Sequence, residues 1–305
     1  MVGSSKIKGA SKLSSALRVF KETLLYDVLT NRLFIAGFSI FMAILLFGVI
    51  GPFFAHRDVF GTVSERWLPP SPKHPLGTNH RGEDIYSWIA IGLSNSLWIA
   101  SLAALIQVVI AFTIGMIAGY KGGVLDNALN TLSNAFMVIP MFILLLMLLA
   151  YVPAEARTQL LVAVLIGITG WPASARIIRS LALENRARDY VELAKLTNFS
   201  STEIIFKEIA PNVLSFIAIT YVNAFSGSIF AEVGIGALGF APVDAITLGR
   251  AFNDMLGGSA IVLGLWWWFV PLGLIVTLIP FSTTLMTYGL QQVFNPRLKL
   301  SVYAV

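Results

Sequence analysis

The chain contains no cysteine, which excludes disulfides and thiolate chemistry and leaves the compartment undecided. Charge is also scarce. Asp, Glu, Lys and Arg make up 12% of the 305 residues, against about 25% in an ordinary soluble domain. There are only three histidines and no His-Glu-x-x-His pattern. A phosphate-binding loop, Gly-x4-Gly-Lys-[Ser/Thr], holds nucleotide phosphates on backbone amides and the lysine; none of the nine lysines here is followed by Ser or Thr. No pair of aspartates falls inside an apolar run. These absences set aside zinc-protease, aspartyl-protease and ATPase chemistry within the chain, and no catalytic residue is assigned.

What is plentiful is apolar. Hydrophobic residues reach 56% and the mean hydropathy is +0.78. A membrane span needs about 20 mostly apolar residues, and six runs qualify: 33–55, 94–120 (or from Ile85), 124–152, 160–178, 213–231 and 261–288. The expected fold is an all-α membrane protein with six transmembrane helices in one bundle. The first run, uncharged and 23 residues long, exceeds the ~7–15-residue apolar region of a signal peptide and reads as a span. Pro140 is expected to kink the third span, Gly167, Gly170 and Pro172 to bend the fourth, and Pro271 and Pro280 to interrupt the sixth.

Six spans put both termini on one side. Fifteen of the 21 Lys and Arg lie in 1–32, at Lys121, in 176–207 and after 290. Basic residues collect in cytoplasmic segments. The expected organisation is therefore a cytoplasmic segment 1–32, a first transmembrane helix 33–55, an outer loop 56–84, a core 85–292 and a cytoplasmic tail 293–305. This distribution accounts for the basic pI of about 9.5 without a nucleic-acid partner.

One polar stretch, 189–211, interrupts this lipid-suited pattern. Asp189 with Glu192 three residues on forms a capping-box pattern, and Ser200 with Glu203 forms another. Two short helices are expected, separated at Asn198, which tolerates the left-handed conformation that closes a helix. Tyr190, Val191, Leu193 and Ala194 give the first helix apolar surface; Ile204, Ile205 and Ile209 do so for the second, before Pro211 opens the next span. The residues alone leave two readings open: an element lying on lipid, or a dock for a soluble partner.

The spacing Glu192-Leu193-Ala194, three residues, Asn198, nine residues, Glu208-Ile209-Ala210-Pro211 resembles the EAA loop of ABC-importer permeases. The departures are Leu193 for Ala, Asn198 for Gly, Glu208 for Ile and Ala210 for Leu. Three further stretches are similar to the C-type permease subunit of the dipeptide/oligopeptide family. They are His74-Pro75-Leu76-Gly77-Thr78-Asn79 with Gly82-Glu83-Asp84, where Glu83 replaces an Arg; Leu238-Gly239-Phe240 with Leu248-Gly249-Arg250 and Asn253-Asp254-Met255; and Asn295-Pro296-Arg297-Leu298. The resemblance covers roughly residues 30–300.

The resemblance implies a multi-pass protein of the plasma membrane, both termini cytoplasmic, working by alternating access. Its implied partners are a second permease subunit, two cytoplasmic ATPases that carry ATP and magnesium, an extracellular solute-binding protein and the bilayer. Coupling to the ATPases falls on Tyr190, Glu192, Leu193, Ala194, Asn198 and Pro211 within a loop 184–211. Pro211 equally fits a plain span start. The implied cargo is di- or oligopeptides first, oligosaccharides second, with nickel as an outlier. A secondary transporter or a channel is the rival of another class, and independence from an ATPase would reveal it.

Glu232 and Trp267 are candidate gate or receptor contacts. Trp266, Trp267 and Trp268 fit interfacial anchoring more economically than sugar stacking. Polar residues in spans, among them Asn95, Ser96, Gln107 and Asn223, fit interhelical hydrogen bonds ahead of pathway lining. His56, His74 and His80 lie near Glu83 and Asp84, but solvated loop histidines are the simpler reading and no metal is assigned.

Overall fold

The computed structural model describes residues 26–56, 61 and 64–294; the Asn295–Leu298 stretch, residues 1–25 and the tail lie outside them. The helices are α1 (Arg32–Ile50), α2 (Ile85–Lys121), α3 (Gly123–Val138), α4 (Met141–Ala150), α5 (Gln159–Arg186), α6 (Asp189–Leu196), α7 (Ser201–Glu203), α8 (Ala210–Ile235), α9 (Leu248–Gly257) and α10 (Trp266–Phe294). A 3-10 turn, Gly51–Phe54, extends α1, and a π turn, Ile204–Ile209, joins α7 to α8.

Among the described residues five stretches are long and apolar enough to cross a membrane, and a bent pair, α3 with α4, makes a sixth if taken as one span. The expected third span is therefore broken, by 79°, rather than kinked. Pro140 disfavours helical geometry in the residue before it. Ile139 accordingly adopts φ −80°, ψ 122°, and Pro140 itself caps α4. Pro172, Pro271 and Pro280, by contrast, stay inside continuous helices. The sixth span starts at Trp266, later than expected, because 258–264 is a run of turns.

The described residues divide into two compact units, one within 43–280 and one made of 26–42 with 281–294. In the smaller unit α1 meets the end of α10 through glycines: a Cβ at Gly289 would lie 2.6 Å from Phe34 N. Asn31 Nδ2 donates to Gln292 Oε1 at 3.0 Å beside it.

The larger unit is organised on α2 and α5. At ~1.5 Å per residue the 37-residue α2 is about 56 Å long, well beyond the ~30 Å of hydrocarbon, so its ends project from lipid. Gly115 and Gly119, four residues apart, bring the two backbones together as a small-xxx-small contact. A Cβ at Gly119 would lie 2.6 Å from both Ala182 Cβ and Arg179 O, and one at Gly115 2.7 Å from Ala175 O. Gly122 and Gly123, both at positive φ, end the helix and turn the chain into α3. There Arg179 clamps Asp126 with two bonds, 2.6 and 2.7 Å, fixing α3 to α5.

Candidate functional site

The 189–211 stretch forms a compact knob between α5 and α8. The helix α6 begins at Asp189 itself, so Arg188 is the N-cap, and it makes no side-chain cap bond. The expected Asp189–Glu192 capping box is thus absent. Asp189 is already helical and cannot adopt the extended backbone of a capping residue, although both acids remain in the first turn, where the helix dipole favours them. The second box does form: Ser200 N donates to Glu203 Oε2 at 3.1 Å and Glu203 N to Ser200 Oγ at 3.3 Å.

Asn198 closes α6 in the left-handed conformation, φ 60°. Its N–H reaches Lys195 O at 3.1 Å, and the next N–H, from Phe199, reaches Ala194 O at 3.1 Å. This pair of bonds is the Schellman arrangement that satisfies the orphan carbonyls of a helix end. Asn198→Gly should therefore fold and function, whereas Asn198→Val should lose about 1–2 kcal/mol because a branched β-carbon opposes this backbone, which asparagine tolerates. Thermal melting of the two variants in detergent checks both; equal melting would show that the turn does not depend on residue 198.

The second expected helix is not a separate piece. Residues 201–240 run as one 40-residue stretch, and the π turn falls just ahead of Pro211. Proline has no N–H and its ring clashes with the carbonyl four residues back. The ladder shifts to meet this: Ala210 N bonds Ile205 O, five residues away, and the Asn212 side chain covers Glu208 O at 2.6 Å. Pro211 is exposed in the first turn of α8.

The two faces of the knob differ in kind. Val191, Ala194, Ile204, Ile205, Ile209 and Val213 are buried in one cluster with Met116 and Tyr120 of α2 and Trp171, Ala175, Ile178 and Ala182 of α5. Tyr190 packs on this cluster, and its hydroxyl donates to Asn185 Oδ1 at 2.6 Å; burial pushes its pKa up. Ala194, expected on the docking surface, is 6% exposed and faces inward. Helix geometry explains the correction, since Val191 and Ala194 are three apart and share a face. The outward face carries Glu192, Leu193 (63% exposed), Leu196 (79%) and Phe199 (38%). Leu196 and Phe199 were missed by sequence reading; the signal was the three-residue spacing of Leu193, Leu196 and Phe199.

A second constellation lies at the 56–84 loop. The stretches 74–84 and 253–255, far apart in sequence, meet here. Asn79 Nδ2 donates to Glu83 Oε2 at 2.6 Å and to Asp254 Oδ2 at 3.0 Å, while Arg81 pairs with both carboxylates. Asn79 Oδ1 accepts from the backbone N–H groups of Arg81 and Glu83. An aspartate at 79 would have no N–H to offer the Glu83 and Asp254 carboxylates. Burial pushes the Asp254 carboxyl up, opposed by the Arg81 charge. Gly77 sits at φ 72°, which suits glycine, and its missing side chain admits Trp267: a Cβ there would lie 3.0 Å from Trp267 Cδ1. Trp267 is thus partly enclosed by this loop, and Trp268 is buried, stacked on His80 at 5.8 Å. Only Trp266 of the three is strongly exposed.

Glu232 is fully buried and accepts from Ser96 Oγ at 2.6 Å. Ser96 Oγ in turn accepts from Leu248 N at 2.9 Å, so the pair joins α2, α8 and α9. The enclosed carboxyl is not offered to a docking receptor in this conformation, which corrects that half of the expectation. Glu232→Ala should cost about 1–3 kcal/mol by stranding a buried hydroxyl, read as a lower melting temperature, while Glu232→Gln keeps an acceptor and should lose less. Identical losses would contradict a hydrogen-bonding role.

A cavity of about 480 Å³ opens between α2, α4, α5 and α8, mostly apolar but with Gln107, Ser174, Asn223 and Ser228 on its wall. Gln107 also donates to Gly170 O at 2.5 Å, and Asn95 donates to Ile246 O at 2.7 Å. These two polar groups of the spans tie elements together, as expected of them.

The chain matches the family described as binding-protein-dependent transport system inner membrane component over residues 111–300. It is 29% identical to the dipeptide transport system permease protein DppC of Bacillus subtilis over 271 residues, 88% of this chain and 83% of that protein. It is 33% identical to the oligopeptide transport system permease protein OppC of Mycobacterium bovis over 230 residues, 75% of this chain and 77% of that protein. With OppC of Bacillus subtilis the identity is 27%, over 95% of this chain and 94% of that protein. With its apolar helices and polar knob, the chain belongs to the family of binding-protein-dependent transport system inner-membrane components and is a multi-pass permease subunit.

Proposed function

We propose that this chain is one of two non-identical permease subunits through which di- and oligopeptides enter the cell. An external solute-binding protein delivers the cargo, and two cytoplasmic ATPases, holding ATP and magnesium, supply the driving force. Both termini and the 189–211 knob are cytoplasmic, in line with the distribution of Lys and Arg. The names of the relatives, dipeptide and oligopeptide transport permeases, support the cargo class.

The observation that carries the coupling role is the asymmetry of the knob. Its inner face belongs to the same buried cluster as α2 and α5, so it cannot move without them. Its outer face presents Leu193, Leu196 and Phe199 to solvent, an apolar edge flanked by Glu192 and Lys195, fitted to a groove on a soluble partner. Closure of the ATPases pushes on that edge, and the cluster passes the push to the spans as a rigid-body movement. Pro211 and the π turn belong to the shaft of this lever, and Tyr190 and Ala194 to its root. Glu232, bonded across three helices, is placed to hold one gating conformation.

The test is uptake by proteoliposomes carrying this chain with its partner permease and ATPases, fed binding protein loaded with a labelled dipeptide. Accumulation that requires internal ATP is the expected result. Accumulation without ATP would point to a secondary transporter or channel. Dependence on ATP with an oligosaccharide or nickel as the only accepted cargo would keep the transporter class and overturn the cargo.

A further inference from the structure

We propose that His56, His74 and Asp84 form a binding site for a divalent transition-metal ion of the zinc class. Solvated loop histidines were expected here, but His74 is 1% exposed and Asp84 3%. One ligand atom from each of the three residues lies within 4.8 Å of the others. The rings of His56 and His74 face each other at 5.7 Å.

Two features mark the cluster as built rather than incidental. The first is the state of His74. Its Nδ1 lies 3.0 Å from Asp84 Oδ1, already close to the separation of two ligand atoms on one ion, so an ion can take the place of the proton between them, with both groups buried.

The second is the support of the surrounding groups. His56 N donates to Ser87 Oγ at 2.9 Å, and Ser87 Oγ donates to Asp84 Oδ2 at 2.7 Å. His74 is held through its own backbone, its N–H on Ser71 Oγ and its carbonyl accepting from Ser71 N and Gly77 N. The two histidines are thus referred to one carboxylate, which itself caps α2. Ligand atoms on a tetrahedral zinc sit roughly 3.3 Å apart. Closing from the present separation asks for movement mainly of His56, whose side chain is exposed and turns at little cost.

Two imidazoles with one carboxylate suit zinc and its neighbours over magnesium or calcium. Three protein ligands leave a fourth position for water or for a donor from another protein. A bound ion would lock the segment after Gly51–Phe54 to the start of α2. The site stands apart from the transport reading and does not depend on it.

The test is calorimetric titration of zinc chloride into the full-length chain in nanodiscs, purified on a tag without histidine and stripped of metal. One ion per chain is expected, together with a rise in melting temperature. His56→Ala should weaken binding by roughly tenfold or more, and His74→Ala likewise, while His80→Ala, whose ring stacks on Trp268 instead, should bind as the parent does. His56 is exposed, so its replacement leaves the fold intact even where loss of His74 does not. Absence of stoichiometric binding, or a His56→Ala protein that binds zinc as tightly as the parent, would overturn the proposal.

Discussion

Leu193→Arg should abolish ATP-driven uptake while the protein's amount in the membrane stays unchanged. Leu193 is 63% exposed, so its replacement disturbs no packing within the chain. In a docked groove, however, the apolar side chain is enclosed, and an arginine there is a desolvated charge without a counterpart. Anchors of this kind contribute about 2 kcal/mol or more, a weakening of docking of roughly 30-fold. A charge reversal at Glu192 acts in the same direction. Ala194→Leu behaves in the opposite way. It lies one residue along, but it points into the cluster with Val191 and Ile178, and the added volume lowers the folded amount. The pair is read by immunoblot of membranes and uptake of labelled dipeptide. Uptake at parental rates by Leu193→Arg would remove the knob from the coupling path.

Gly119→Leu should prevent the larger unit from assembling in its present packing. A first side-chain carbon already meets Ala182 Cβ and Arg179 O at 2.6 Å, and backbone cannot yield as the tip of a side chain does. The helices must separate, which opens the cluster under the knob and strains the Arg179–Asp126 clamp. Overpacking of this kind costs about 3 kcal/mol or more. The expected result is a sharply lower melting temperature in detergent and loss of material from the monodisperse peak. By contrast Gly227→Ala, at a position where a Cβ meets nothing within 4 Å, should melt as the parent does. An unchanged melting curve for Gly119→Leu would mean that α2 and α5 do not depend on this contact.

Much of this was legible in the residues. Apolar length found the spans, because lipid imposes it directly. The Ser200 box and the left-handed Asn198 were readable because each is settled within a few residues by backbone chemistry. The break at Pro140 was located, but its size was not, since a local rule gives the site of a bend and packing gives its angle. What sequence could not supply was direction. Leu193 and Ala194 are both apolar and adjacent, and only the position of α5 decides which of them is buried. The constellation at the 56–84 loop was invisible for the same reason. Asn79 and Asp254 are separated by most of the chain, and nothing local marks them as neighbours. His74 looked like a solvated loop residue because a polar loop gives no sign that it folds back on a helix cap.

The π turn at Ile204–Ile209 bears on how relatives are to be compared. It is one residue wider than an α turn would be, and each residue of an α-helix advances the chain by about 100° around its axis. A member of the family lacking one residue here, or this chain with one deleted, would narrow the turn and swing Ser200 and the preceding helix by about that angle around the shaft of the fifth span. The side chains offered to a partner would then come from different sequence positions. Residues of the proposed docking face should therefore be matched between homologues by their angle about this axis, with alignment gaps in 204–209 treated as rotations.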